Sequence, residues 1–226
     1  LQQRLLPLGL TYSAFYLAFL VIIFFMVKWI AHIEKTKIAE LTYRADHDLL
    51  TGLYNRSVLN NKNLKYHKHK KPYSLLYLDL DHFKSINDHY GYSYGDIILA
   101  EVSKRISAGL QQLDGTAIRH SADEFILLIE NTQIEIIEHY CNNLLEEIAK
   151  PYIVNNNDFK ISASIGIAQS PVNTNKIETL ISYANNSMLI AKQTKNHYVF
   201  FSEEIHKQII KKLEIEQALH TAIARN

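Results

Sequence analysis

Asp79, Asp81, Lys84 and Asn87 lie close together in the stretch Leu75–Asp88. Two carboxylates at alternate positions of a strand end share a face and can approach one cation. Lys84 follows Asp81 within about one helical turn and Asn87 within about two. Carboxylates, an ammonium and an amide at one strand–helix corner suit a phosphorylated ligand that carries a divalent metal. An isolated Asp-x-Asp would read as a solvated loop with an acidic cap. Further polar groups downstream, at Asp96, at Asp123-Glu124 and at Lys192, argue against that here.

The elements that must place these groups follow from pattern. Tyr73 to Leu78 is an apolar run of strand length that ends on the carboxylates. Phe83 to Asp88, with Phe83 and Ile86 three apart, predicts a short helix. Gly95 to Leu110 is helical, with Ile98, Val102 and Ile106 on one face. Ala117–His120 and Phe125–Ile129 read as strands flanking a turn at Ser121–Glu124. Gln133–Ala149 is helical and stops before Pro151. Asp158–Gln169 alternates as a strand that ends at Pro171; Ile177–Lys192 is helical; Tyr198–Phe201 is a last strand. The order β-α-α-β-β-α-β-α-β predicts an α/β sandwich around a largely antiparallel sheet.

Arg119-His-Ser121-Ala122-Asp123-Glu124-Phe125 resembles the hairpin of the GGDEF domain, with Ser121-Ala122 in place of its two glycines. Asp48-Leu-Leu-Thr-Gly-Leu-Tyr-Asn55 is similar to that family's opening motif. Ser162–Ala168 is similar to its late strand and Ala184–Lys192 to its last helix. The resemblance spans nearly all of Asp48–Phe201. It implies a nucleotidyl-cyclase-like, palm-like fold and a diguanylate cyclase architecture. Two GTP molecules, one on each protomer of a dimer, would condense to cyclic di-GMP and two pyrophosphates. Carried over position by position, Asp79, Asp123 and the Leu80 carbonyl would hold Mg2+, with Glu124 beside them. Lys84 and Lys192 would meet phosphates, and Asn87 with Asp96 would read the guanine edge.

This chain also departs from the family pattern. If Ser121 or Ala122 needs a positive φ, strain of about 1–3 kcal/mol follows, and the two Cβ atoms are expected to lower turnover. A catalytically poor, GTP-binding regulatory domain is the alternative function. The family's product-inhibition site takes Arg-x-x-Asp, where this chain has Gln112 and Gly115, so feedback there is not expected. After Ala191-Lys192 the family pattern has a glycine followed by a basic residue and Asn; Gln193-Thr-Lys195-Asn196 lacks the glycine.

Leu5–Val27 carries no charged residue. It reaches about 34 Å as a helix, beyond the roughly 30 Å of a bilayer core. A buried core helix is the alternative. Lys28, Lys35, Lys37 and Arg44 follow it, so the positive-inside rule puts the rest of the chain in the cytoplasm, on a single-pass anchor in the bacterial inner membrane. The boundaries drawn are 1–30 transmembrane helix, 31–48 helical signalling linker, 49–201 GGDEF domain and 202–226 C-terminal helical linker. The linker reads as a dimer-forming stalk or as a helix packed on its own domain. Lys62–Lys71, rich in lysine and histidine, reads as a solvated loop, with contact to anionic lipid as the alternative. Residues 202–226 resemble the connection to a downstream EAL phosphodiesterase domain in cis, or are a simple terminal helix.

Composition sets outer limits. With 226 residues and 47% hydrophobic content, the chain holds one domain plus accessory helices. A net charge of +1 gives no pointer to nucleic acid. The single cysteine, Cys141, excludes an internal disulfide and reads as a small buried apolar group. The histidines show no paired helical spacing for zinc.

Overall fold

The computed structural model describes residues 2–60, 71–207 and 211; of these, 2–18, 39 and 60 are described by backbone alone. The chain divides into two compact units, Leu1–Ala45 and Asp46–Asn226. The described part of the first belongs to helix α1 (Gln2–Asp46), which continues unbroken across the 30/31 boundary drawn from sequence. Apolar residues of α1 from Phe19 to Val27 are largely exposed, as are Ile30, Ile38 and Leu41. Among the described residues, no helix is long and apolar enough to cross a membrane. The described residues thus contain no such span, and the side chains from 5 to 18 on which the expectation for Leu5–Val27 depends lie outside the described set. Residues 62–70 and nearly all of 208–226 are outside it too.

In the second unit, β1 (Tyr54–Asn55) and a 3-10 turn (Arg56–Asn60) precede the central strand β2 (Tyr73–Asp81). Helices α2 (Phe83–Tyr90) and α3 (Tyr92–Leu110) lead to the hairpin of β3 (Thr116–Arg119) and β4 (Glu124–Ile129). Helix α4 (Ile134–Ala149) is followed by a small hairpin, β5 (Tyr152–Val154) and β6 (Asn157–Phe159). Then come β7 (Ser162–Ser170), α5 (Ile177–Thr194) and β8 (His197–Phe200). The main sheet has the order β1-β3-β4-β2-β7-β8. β2 is antiparallel to both β4 and β7, while the outer pairs β1–β3 and β7–β8 are parallel.

β2 is apolar along most of its length because both of its faces are covered. Leu76, Leu78 and Leu80 join Ile98, Val102 and Ile137 in one core, beneath α3 and α4. Leu75 and Tyr77 join Leu180, Ala184 and Met188 in the other, beneath α5. Each fully buried leucine contributes about 1.5–3 kcal/mol, so the strand bearing the carboxylates is pinned from both sides. Cys141 is a free thiol with no exposed surface, as its place on an apolar face predicts. Arg105 ties two helices together: its guanidinium lies 3.8 Å from the Tyr152 ring centroid and donates to the carbonyls of Glu147, Lys150 and Pro151 at the end of α4.

Two sequence boundaries are corrected. β2 does not stop at Leu78; pairing with β7 carries it on to Asp81, opposite Ser162. The strand expected over Asp158–Gln169 is two strands. β6 turns back on β5 through Asn155-Asn156, both at positive φ (50° and 62°), as a two-residue hairpin requires. An Asn-Asn pair between short apolar segments was the available signal.

Helix α5 reaches its position over Gly166 of β7. A Cβ there would lie 1.9 Å from the Ala184 carbonyl oxygen and 2.2 Å from the Met188 nitrogen, both helix backbone. Gly166→Ala is therefore expected to cost about 3 kcal/mol, read as a lower denaturant midpoint; an unchanged midpoint would show that α5 can move away freely.

Candidate active site

Three segments meet at one end of the sheet: the end of β2, the β3–β4 turn and the end of α5. Asp79 pairs in register with Glu124 of β4 and with Ser164 of β7. The Leu80 N–H donates to the Asp123 carbonyl at 3.2 Å, which fastens the turn to the strand. Lys192, in the last turn of α5, places Nζ 2.5 Å from Asp79 Oδ1. Tyr77 lies two residues earlier on the same face; burial and the nearby Glu124 carboxylate raise its pKa.

Burial dominates the electrostatics. It pushes Asp79 up to about 6; Lys192 opposes the shift, while Asp123 and Glu124 add to it. Asp123 is raised by the same desolvation, with Lys192 and Arg119 pulling it back. A cluster of carboxylates that resists losing its protons favours an added cation. Among the described residues no three His, Cys, Asp or Glu side chains gather to hold a metal by themselves. Mg2+ is typically held by one or two carboxylates together with substrate phosphates, so the Asp79/Asp123 donor set fits it.

Asp81 does not join this cluster, which corrects the expectation that Asp79 and Asp81 approach one cation. Its carboxylate accepts from the Ser162 hydroxyl at 2.7 Å, the Ser164 hydroxyl at 2.8 Å and the Asn196 N–H at 3.2 Å. Asp81 thus fixes the turn after α5, and through it the helix that carries Lys192. Its serine partners lie in the late strand, and nothing in their spacing announced them.

The hairpin turn closes without left-handed residues. Neither Ser121 nor Ala122 is among the non-glycine residues with positive φ, so the backbone strain considered for them is absent. His120 and Ser121 N–H groups both donate to the Glu124 carbonyl, at 2.9 and 3.3 Å. Arg119 anchors the turn: it donates to Ala122 O at 2.8 Å and to both Asp48 carboxylate oxygens, at 3.0 and 3.2 Å. Burial pushes the Asp48 carboxyl up, but hydrogen bonds from Thr51 and the Arg119 charge overcome it and hold the group below its usual range. The opening motif therefore braces the hairpin.

Lys84 and Asn87 project from α2, which begins at His82 in a left-handed conformation (φ 61°) with no side-chain cap. Lys84 is exposed and forms no ion pair among the described residues. Asn87 Oδ1 is buried and has no hydrogen-bond partner. It fits into the space left by Gly95 of α3, where a Cβ would sit 2.0 Å from it. Asp96 is the next residue on α3 and is exposed. The structure thus sets Asn87 against the start of α3 and brings Asp79, Asp123, Glu124 and Lys192 together. Gly95 as the cradle of Asn87 was not recognised in the sequence.

Gln112 and Gly115 line different cavities. Gln112 borders one of about 750 Å3 between α3 and α4, and Gly115 borders one of about 710 Å3 beside His47 and Leu53. A Cβ at Gly115 would lie 2.4 Å from Leu110 Cδ2 and 3.2 Å from the Leu128 carbonyl oxygen, so a side chain there would require Leu110 to move. Neither cavity reaches Asp79, Asn87 or Lys192.

The profile of the diguanylate cyclase GGDEF domain matches residues 45–197. The chain belongs to that family. It is 35% identical over 191 residues to MucR of Pseudomonas aeruginosa, a bifunctional diguanylate cyclase/cyclic di-GMP phosphodiesterase; the match covers 82% of this chain and 28% of that protein. It is 29% identical over 193 residues to the cyclic di-GMP phosphodiesterase PdeR of Escherichia coli, covering 84% of this chain and 29% of PdeR. The chain thus spans under a third of these relatives. The solved GGDEF domain of YfiN (TpbB) from P. aeruginosa superposes with a TM-score of 0.64 at 25% identity, over 72% of this chain and 98% of that one. These likenesses support the GGDEF-type α/β fold with its mixed central sheet.

Asp79 supplies a test of the site's electrostatics. Its folded pKa of about 6 exceeds the ordinary aspartate value of 3.8, so between those values the folded state binds more protons and stability falls as pH rises. Asp79→Asn should then raise unfolding free energy by about 1–3 kcal/mol at pH 7. The gain should shrink as pH falls from about 6 towards about 4; denaturant titrations at both ends check the sign, and a pH-independent difference would contradict it.

Proposed function

We propose that this chain is a GTP-binding GGDEF domain of cyclic di-GMP signalling and that it condenses two GTP molecules to cyclic di-GMP. The observation that carries the reading is the convergence of Asp79, Asp123 and Glu124 on Lys192. In this reading Asp79, Asp123 and the Leu80 carbonyl hold Mg2+, with Glu124 beside them. When bound, Mg2+ lowers the charge barrier at the α-phosphate and activates the attacking 3′-hydroxyl. Lys84 and Lys192 take the phosphates. For Lys192 this would mean giving up Asp79, which would then serve the metal, for phosphate oxygens. The unpartnered Asn87 Oδ1 and the exposed Asp96 carboxylate are acceptors, and the guanine edge offers ring N–H and exocyclic amine donors to them. Adenine offers only its amine there, so GTP is preferred.

Joining two GTP molecules needs two sites face to face, which a homodimer provides. The exposed Ile38 and Leu41 on α1 support a role for the linker helix in that dimer. The exposed apolar stretch from Phe19 to Val27, followed by Lys28, supports anchoring through residues 5–27 in the inner membrane with the domain on the cytoplasmic side. A second reading is favoured by the match to a relative named for phosphodiesterase activity: a GTP-binding regulatory domain that controls an EAL domain in cis.

Because neither Ser121 nor Ala122 takes a positive φ, backbone strain does not count against turnover, and only their two Cβ atoms distinguish this turn from the family's glycines. Incubating the full chain in detergent with GTP and Mg2+, then separating the nucleotides, should yield cyclic di-GMP. Restoring both glycines should change the rate by less than about tenfold, or about 1.4 kcal/mol, and Asp123→Asn should abolish product. GTP binding with no product from either hairpin would leave the regulatory reading in place; calorimetry with no GTP heat at millimolar levels would remove both.

A further inference from the structure

Three tyrosines, Tyr90, Tyr92 and Tyr94, stand between Asp88 and Asp96, where α2 passes into α3. Two of them are packed. The Tyr90 and Tyr94 rings meet Phe159 of β6 edge-on, with centroids 4.9 and 5.8 Å away, and lie 5.9 Å from each other. Tyr92 takes no part in this cluster. It is 78% exposed, and its side chain makes no ring contact and no hydrogen bond among the described residues.

The turn beneath Tyr92 fixes its place. Gly91, the single residue between the two helices, has φ 87° and ψ 160°, a region essentially restricted to glycine. Its N–H donates to the Asn87 carbonyl at 2.9 Å, and its own carbonyl accepts from the Tyr94 N–H at 3.2 Å. Tyr92 therefore opens α3 one residue beyond a turn that is tied to Asn87. Around α3 the Gly95 direction faces Asn87, and Asp96 lies about 100° on from it. Tyr92 falls between these two directions, one turn nearer the helix start, a rise of about 4.5–6 Å. Nothing lies within 4 Å of a Cβ placed on Gly91, so the ring has open space to move across the turn.

Asn87 and Asp96 can read a base only by its edge. Asp96 is exposed, so its hydrogen bonds are exchanged with water at small net gain. The faces of a purine are apolar, and covering one removes it from water. A ring beside the edge-reading pair supplies that cover, since every base offers a π-face to an aromatic side chain.

We propose that Tyr92 is a base-stacking residue of the nucleotide site: its ring closes over one face of the guanine whose edge Asn87 and Asp96 read. The inference rests on the GTP reading above. Stacking tolerates any purine, so Tyr92 sets how firmly the base is held, while Asn87 and Asp96 set which base it is. A tyrosine that merely starts a helix would leave every ligand affinity unchanged when removed.

The experiment is calorimetry and thermal melting on the full chain in detergent with Mg2+, comparing wild type, Tyr92→Ala and Tyr92→Phe with GTP, GMP and inorganic tripolyphosphate. Tyr92→Ala is expected to bind GTP and GMP about tenfold more weakly. Its melting temperature should stay within about 2 °C of wild type, because the ring is exposed. Tripolyphosphate, which has no base, should bind both alike, and Tyr92→Phe, which keeps the ring, should hold GTP within about twofold. Equal GTP affinity in wild type and Tyr92→Ala overturns the proposal alone. So does a matching loss for tripolyphosphate, or a loss in Tyr92→Phe as large as that in Tyr92→Ala. If the wild type binds no GTP, the functional reading itself falls, and this inference with it.

Discussion

Asp79 sits on a strand whose two faces are both covered by apolar side chains, and burial favours the protonated form of its carboxyl. The Lys192 ammonium works against that preference, so at neutral pH the carboxylate persists as one half of an ion pair. Everything else at the site serves to bring these two groups together. Gly166 lets α5 lie close on β7, Asp81 fastens the turn that ends α5, and the Leu80–Asp123 bond holds the hairpin turn against β2. Removing Lys192 while keeping Asp79 would leave a largely buried carboxylate uncompensated, which is the costly way to break such a pair.

In the proposed reading the two ends of the nucleotide are served by different parts of the fold: β2, the hairpin turn and α5 for the phosphates, and α2 with α3, where Gly95 admits Asn87, for the base. The short β2–α2 connection joins them, and it is compressed into a single left-handed residue, His82. Spacing between carboxylates and amide is therefore set by backbone geometry and tolerates no insertion at that corner.

Much of this was legible in the residues. The apolar run of β2 and the periodicity of α3, α4 and α5 gave their elements to within a few residues, because burial on defined faces writes a repeating pattern. Asp79, Asp123, Glu124 and Lys192 could be named from motif order, and they do converge. What the sequence hid were properties of backbone geometry and of contacts between distant segments. The φ of Ser121 and Ala122 is negative although glycines usually occupy the family turn, and no composition rule reports that. Asp81 is claimed by serines 81 and 83 positions away, so a local Asp-x-Asp pattern overstated its freedom. The missing glycine after Lys192 looked like a loss; the backbone still turns there, with a lysine in its place.

Strand order has a consequence for how the molecule comes into being. β2 pairs with β4 after a gap of a few dozen residues, but its other neighbour, β7, is close to a hundred residues away in the chain (Tyr73 opposite Ser170). Contacts of such separation form late, since loop closure must precede them. During synthesis the acidic groups of β2 and the hairpin emerge well before α5 and its lysines. For that interval the nascent domain carries Asp79 along an open sheet edge, without Lys192 beside it. The mutual repulsion of these acidic groups then guards the edge against pairing with a second nascent chain, until the last helix arrives to neutralise it.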